Sequence, residues 1–284
     1  MNRNLRFHTL FITALFLLVF QGCSEAAPDK PFYGPDNGTL VIAGGGKLPP
    51  VIFERFAELA GGFDAGIVII PTAGSPDNID TSRVREKWEN AGFTNITVLH
   101  TTDPEEAGKT DFYGKIAEAS GVWFEGGRQW RLVDAYYGTE TYNKLHELLD
   151  RGGVIGGSSA GASIQGSFLA RGDMSGNTIM ISTDERHQKG FGFMKNTAID
   201  QHIDTRDRWT DIQEIILEHP ELLGIGISES TAIVVKGDEF EVIGAGDVAI
   251  TTEDIITGSD NDNLYLVLSP GENFNIKLLS NIYP

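Results

Sequence analysis

Cysteine is almost absent: the chain has 284 residues and one Cys, Cys23. That excludes an intrachain disulfide and a multi-cysteine zinc site, and its place ahead of the folded region excludes a cysteine nucleophile there. Bases are also scarce, 22 against 40 acids, so the formal charge is −18 at pH 7. Such a chain repels a phosphate backbone, and no segregated basic patch offsets the repulsion, so nucleic acid is not expected as a partner. HExxH and paired-cysteine metal motifs are missing. Gly44-Gly45-Gly46-Lys47 lacks the Walker spacing and the Ser or Thr after its lysine, so it reads as a tight turn. Asp260-Asn261-Asp262-Asn263 lacks the glycine and the terminal glutamate of an EF-hand loop and reads as a solvated turn. No metal or cofactor is expected. What is present is a globular composition, 40% hydrophobic and 10% aromatic with 11 prolines, long enough for one large α/β domain or two small ones.

The lone cysteine has a context. Arg3 and Arg6 precede an apolar run from Leu10 to Phe20, broken only by Thr13 and too short to span a bilayer. Gln21-Gly22-Cys23 follows, and Phe20 to Cys23 resembles a bacterial lipoprotein cleavage box. Residues 1–22 are thus expected to be a signal peptide, and Cys23 the lipid attachment point of an exported envelope lipoprotein, periplasmic or associated with the outer membrane. The alternative is cleavage near Ala26 or Ala27 and a free periplasmic protein. Residues 23–38, with Pro28, Pro31, Gly34, Pro35 and Gly38, read as a tether.

From about Thr39, buried-strand patterns alternate with amphipathic ones. Leu40 to Ala43, Gly66 to Ile70, Ile96 to Leu99, Gly121 to Phe124 and Gly153 to Gly156 read as strands. Pro50 to Ala60, Ser82 to Asn90 and Thr141 to Leu149 read as helices, and this alternation predicts an α/β fold with a doubly wound, mostly parallel sheet. A helix is predicted over Arg208 to Glu218. Short strands at Gly226-Ile227, Ala232 to Val235, Phe240 to Ile243 and Leu264 to Val267 predict antiparallel pairs appended near the C-terminus. Residues 39–284 therefore read as a single domain.

The strongest chemical signal is Gly157-Ser158-Ser159-Ala160-Gly161 after a glycine-flanked strand. A serine on a tight strand-to-helix turn needs small neighbours, and the turn sets the Ala160 N–H beside any oxyanion that forms. The same small residues also close strand-helix joints for packing alone. A serine nucleophile needs a base with a pKa near neutrality. Of six histidines, His8 lies in the signal, His219 at a helix end, His146 among helical acids, His100 at a strand end and His187 in a charged loop. His202 remains, inside the polar run Asp200 to Arg208. Glu229, between two apolar strands, is the candidate to orient it, unless it is a turn carboxylate in water.

Taken together, Gly157 to Ala162, Asp200-Gln201-His202 with Arg206 and Arg208, Gly126-Gly127-Arg128-Gln129, and Gly224 to Ala232 resemble the ordered motifs of the cyanophycinase and aspartyl dipeptidase family of serine peptidases, over about residues 39–250. The resemblance implies a flavodoxin-like or class I glutamine-amidotransferase-like sheet. On it Ser159 attacks, His202 relays protons, Glu229 orients His202, and a Gly126-Gly127 amide, that of Gly127, joins Ala160 in the oxyanion hole. It also implies that Gln129, Asp200, Gln201, Arg206 and Arg208 line the substrate pocket. Guanidinium forks suit a carboxylate-bearing peptide; the alternative is that Arg206 and Arg208 neutralise Asp204 and Asp207. The chain departs from the family pattern at Arg128, Ile203 and Ser228. It departs again at Asp211, where cyanophycinases carry a third arginine.

The expected activity is that of a serine exopeptidase acting on an acidic, aspartyl or β-aspartyl peptide, Asp-Arg included. The rival readings are a catalytically silent peptide-binding lipoprotein on the same fold, and an esterase. Expected partners are the peptide and, through the lipid, a membrane; a homodimer is left open.

Overall fold

The computed structural model describes residues 32–258 and 264–279. The signal segment, Cys23 and the Asp260 to Asn263 turn lie outside the described residues. Among the described residues, thirteen strands form two sheets. Strands β1 (Thr39–Ala43), β2 (Ile67–Ile70), β3 (Ile96–Val98), β4 (Gly121–Phe124) and β5 (Val154–Ser158) pair in parallel in the order β3-β2-β4-β5-β1. Strands β6 (Gly166–Phe168), β7 (Met194–Gln201) and β8 (Leu223–Ile227) form a second parallel group. The chain then returns to the first sheet with β9 (Thr231–Lys236) and β10 (Glu239–Gly244). Strands β11 (Val248–Thr251) and β12 (Leu266–Leu268) extend the second sheet, and β13 (Asn273–Asn275) extends the first.

Both faces of the parallel block are buried, as the continuous apolar strands predict. Leu40, Ile42, Val68, Ile70, Val122, Phe124 and Ile155 face one core. Their neighbours Val41, Ala43, Ile67, Ile69, Trp123 and Val154 face the other. Helix Pro50–Ala60 and helix Thr81–Asn90 cover that second face through Phe56 and Trp88, whose rings pack edge-on against each other and on Trp123. Period-two alternation thus assigns each strand residue to one layer, and single apolar runs serve both.

Four expectations are amended. The C-terminal strands β9 to β12 pair antiparallel but divide between two sheets instead of extending one, and Gly226-Ile227 falls in β8, which runs parallel to β7. The block order differs from the flavodoxin order 2-1-3-4-5 because β1, the first strand, lies next to β5 as the last strand of the parallel block, with β9 on its other side. The helix predicted over Arg208 to Glu218 spans only Gln213–Glu218, since Arg208 N–H turns back to the Ile203 carbonyl at 2.7 Å. Residues 33–38 are not a tether: Gly34 and Pro35 are buried, and Tyr33 N–H donates to Asp238 Oδ1 at 2.7 Å. Gly34 is there because a side chain would strike the Gly237 carbonyl, a close approach that composition alone does not distinguish from flexibility.

Strand register decides what meets at the carboxyl end of β1. Ala43 pairs with Ser158 of β5 on one side and with Ala232 of β9 on the other. Gln201 of β7 pairs with Ile227 of β8, and the three-residue link Ser228 to Ser230 joins β8 to β9 across the two sheets. Ser159, His202 and Glu229 each follow one of these strand ends, the usual place for a site in a parallel sheet.

Candidate active site

Ser159 begins the short helix Ala160–Ser163 directly after β5, with φ 58° and ψ −112°. A non-glycine residue there is strained by about 1–3 kcal/mol, and the strain is held by surrounding contacts. Ser159 N–H donates to the Ala43 carbonyl at 3.0 Å. A side chain at position 157 would strike the Gly161 carbonyl, so the small neighbours are required by the turn itself. The bend leaves the Ser159 side chain half-buried, on the wall of an open cleft of about 720 Å³.

Ser159 Oγ lies 2.8 Å from His202 Nε2, and His202 Nδ1 lies 2.5 Å from Glu229 Oε1. The pairing fixes the tautomer: with Nδ1–H donated to the carboxylate, Nε2 is free to accept the serine proton. Burial lowers the His202 pKa most; the Glu229 hydrogen bond raises it, the Arg206 charge lowers it, the Glu229 charge raises it, and Arg208 lowers it. The net position is below the ordinary histidine value, which keeps the ring neutral and able to act as a base at pH 7. Glu229 is not a free turn carboxylate. Its N–H donates to Asp204 Oδ1 at 2.9 Å, so Asp204 positions the link that carries it.

The Gly44 to Gly46 turn has a role that the sequence did not disclose. His202 N–H donates to the Gly44 carbonyl at 3.1 Å, and Ser230 N–H to the Gly45 carbonyl at 2.9 Å. A side chain on Gly45 would strike the His202 imidazole, and one on Gly46 the Glu229 carboxylate. Both have positive φ, so only glycine suits the turn on two counts. The available signal was a run of three glycines directly after a buried strand.

The Gly126-Gly127 turn also meets the nucleophile. A Cβ on Gly126 would stand 3.3 Å from Ser159 Cβ and 3.7 Å from its Oγ, whereas Gly127 backs onto the Ala73 carbonyl. Gly126 is thus the nearer of the pair. Ala160 is fully buried at the first helical position beside Ser159.

The residues expected to line the substrate pocket differ in what they have free. Gln129 is buried and donates to the Ala170 carbonyl at 2.7 Å. Asp200 is fully buried, and both of its oxygens are held at 2.8 Å by Arg171 Nε and Nη2. Arg171 Nη2 also binds Asp211 at 2.6 Å. Sequence reasoning missed Arg171, which sits at φ 57° in a loop without periodicity. Gln201 Oε1 and Arg208 Nη1 are buried with no protein partner. Arg206 is exposed. Among the described residues no ion pair joins Arg206 or Arg208 to Asp204 or Asp207, and Arg208 feels the charges of Asp200 and Asp211 instead. His187, expected in a charged loop, is buried, with Nε2 2.9 Å from Asp134 Oδ1.

Comparison with known proteins gives the family. The sequence profile of peptidase family S51 matches residues 39–243. A cyanophycinase of Geminocystis herdmanii is 32% identical over 201 residues, which cover 70% of this chain and 74% of that protein. A cyanophycinase of Trichormus variabilis is 29% identical over 233 residues, covering 80% and 78%. In three dimensions the chain resembles the crystal structure of a peptidase from an acI-B1 actinobacterium. That match has a TM-score of 0.66 at 24% identity and covers 86% of this chain and 99% of the other, a likeness of fold.

Proposed function

The chain belongs to peptidase family S51 and is a serine-type peptidase, and from that footing we propose that it is an exopeptidase that hydrolyses aspartyl or β-aspartyl peptides through Ser159, His202 and Glu229. The observation that carries the reading is the hydrogen-bond chain of 2.8 Å and 2.5 Å, which begins at a strained serine on an open cleft. In this mechanism His202 Nε2 takes the Ser159 proton as Oγ attacks the scissile carbonyl, and Glu229 stabilises the imidazolium. The Ala160 N–H and a Gly126-Gly127 amide receive the oxyanion. His202 then returns the proton to the departing amine, and water repeats the sequence to free Ser159.

An acidic substrate is supported by Arg206 and Arg208. Both have charges felt at His202; Arg206 is exposed, and Arg208 is buried with Nη1 lacking a protein partner, although it also feels the charges of Asp200 and Asp211. The test is a panel of α-aspartyl and isoaspartyl dipeptides, with a β-Asp-Arg polymer beside them. Turnover that disappears in Ser159→Ala supports the reading. Peptide binding without turnover in the wild-type chain would instead make this a silent receptor.

The proposal extends to location. Cys23, outside the described residues, would carry the lipid that holds the enzyme in a bacterial envelope, with two or more acyl chains needed for stable anchoring. Intact-mass analysis tests this, and an unmodified chain beginning after Cys23 would refute it.

A further inference from the structure

Ser158, Ser159 and Gly126 line the 720 Å³ cleft together with the apolar Leu48, Pro50, Phe53 and Phe63; its charged lining residues are Lys47, Glu54, Lys87 and Glu125. The arginines thought to receive the substrate's acid are not among its lining residues. Nucleophile and cleft are therefore continuous, while the acid-binding side lies elsewhere around Ser159. A peptide whose carbonyl reaches Oγ has room to lay its other half along this cleft.

Of the two carboxylates that line the cleft, the one beside Gly126 is already engaged. Glu125, on the cleft floor, accepts Lys87 Nζ at 2.8 Å and 2.7 Å on its two oxygens, and Trp88 Nε1 at 2.8 Å. Farther along, both oxygens of Asp200 and one of Asp211 are taken by Arg171. Glu54 alone stands at the rim, exposed to water. A guanidinium brought against Phe53 and Phe63 would lose hydration and gain only a water-screened pairing with the exposed Glu54, whereas an apolar side chain gains by leaving water.

We propose that this cleft is the subsite for the residue across the scissile bond from the acid, and that it selects an aromatic or branched aliphatic side chain over arginine. The proposal rests on the aspartyl-peptidase reading and narrows its substrate: the peptide joins an acidic residue to an apolar one, and Asp-Arg is a poor substrate. Lys87, with Nζ held by Glu125, lines both this subsite and an adjoining cleft of about 500 Å³.

The experiment compares kcat/KM for Asp-Phe, Asp-Leu, Asp-Lys and Asp-Arg dipeptides on the wild-type enzyme and on Phe63→Glu and Pro50→Glu. Phe63 is 37% exposed, and Pro50 is an exposed residue at a helix start where an acid is tolerated, so at least one variant should fold. Asp-Phe and Asp-Leu should exceed Asp-Arg by roughly tenfold or more, the size expected for burying one such side chain. Each folded variant should raise Asp-Arg and lower Asp-Phe. Equal or better cleavage of Asp-Arg by the wild type, with a ranking unmoved in the variants, overturns the proposal. If no aspartyl dipeptide is cleaved, the parent reading has failed and the cleft is tested alone. Phenylalkyl and guanidinoalkyl fluorophosphonates are then compared for their rates of inactivating Ser159: a faster phenylalkyl reagent supports the apolar subsite, and equal rates overturn it.

Discussion

Replacing Glu229 by Gln tests the link between strand register and chemistry most directly. Gln keeps the size of the side chain, and the hydrogen bond from the residue 229 N–H to Asp204 Oδ1 is a backbone bond that survives. What disappears is the negative charge 2.5 Å from His202 Nδ1. For charge centres about 4 Å apart at an effective dielectric of about 20, that charge stabilises the imidazolium by about 4 kcal/mol, or roughly 10³ in rate. The Glu229 side chain is 29% exposed, so water screens part of this and the expected loss in kcat is about 10²–10³. The pH profile supplies a second readout. Activity requires neutral His202, so kcat/KM should fall as pH drops through a pKa below the ordinary histidine value. Glu229 raises that pKa through its hydrogen bond and its charge, while Arg206 and Arg208 lower it. The acid limb of Glu229→Gln should therefore move to lower pH. The assay is a dipeptide hydrolysis profile from pH 4.5 to 8 for both proteins, with melting curves as the folding control. A folded variant within threefold of wild-type kcat and with an unmoved acid limb would refute the role given to Glu229.

Ser159→Gly should lose about 10⁴–10⁶ in kcat yet gain about 1 kcal/mol of stability, since glycine relieves the strain at φ 58°; calorimetry should show a melting temperature higher by about 2–4 °C. Arg171→Met should destabilise the fold by about 3–5 kcal/mol, because it leaves the fully buried Asp200 carboxylate unpaired, and Asp200→Leu added to it should recover most of the loss in urea melts. Burial lowers the pKa of His100 and His146 as well as His202. The unfolded chain then binds more protons than the folded one below about pH 6.5, and stability falls as pH drops from there. His146→Gln should reduce the part of that slope seen between pH 7.5 and 5.5 in thermal melts.

The composition of the strands was enough to place the parallel block. Each run from Leu40 to Ala43, Ile67 to Ile70 and Gly121 to Phe124 is apolar at every or nearly every position, which only a sheet buried on both faces requires. Helix Pro50–Ala60 was legible for the same reason, through its apolar spacing and its proline start. The elbow around Ser159 was legible because its steric demand is local: nothing larger than glycine fits at positions 157 and 161. Strand β7 was not. Its second half, Thr197 to Gln201, is wholly buried yet contains Thr197, Asp200 and Gln201, so the apolar signal fails where the strand carries polar groups into the interior.

Partnership could be decided only by tertiary structure. Nothing local to Arg171 marks it as the partner of Asp200 and Asp211, 29 and 40 residues away. The glycines of 44–46 are ordinary turn residues until His202 and Glu229 come to rest against them. Residue types with the right chemistry were visible in the chain: a serine among glycines, a histidine among charges, a carboxylate between strands. Their distances were not, because they depend on β1 lying between β5 and β9 and on the link that carries Glu229 from one sheet to the other. Side-chain chemistry is written residue by residue, but its geometry is a property of strand order and register, which long-range packing sets.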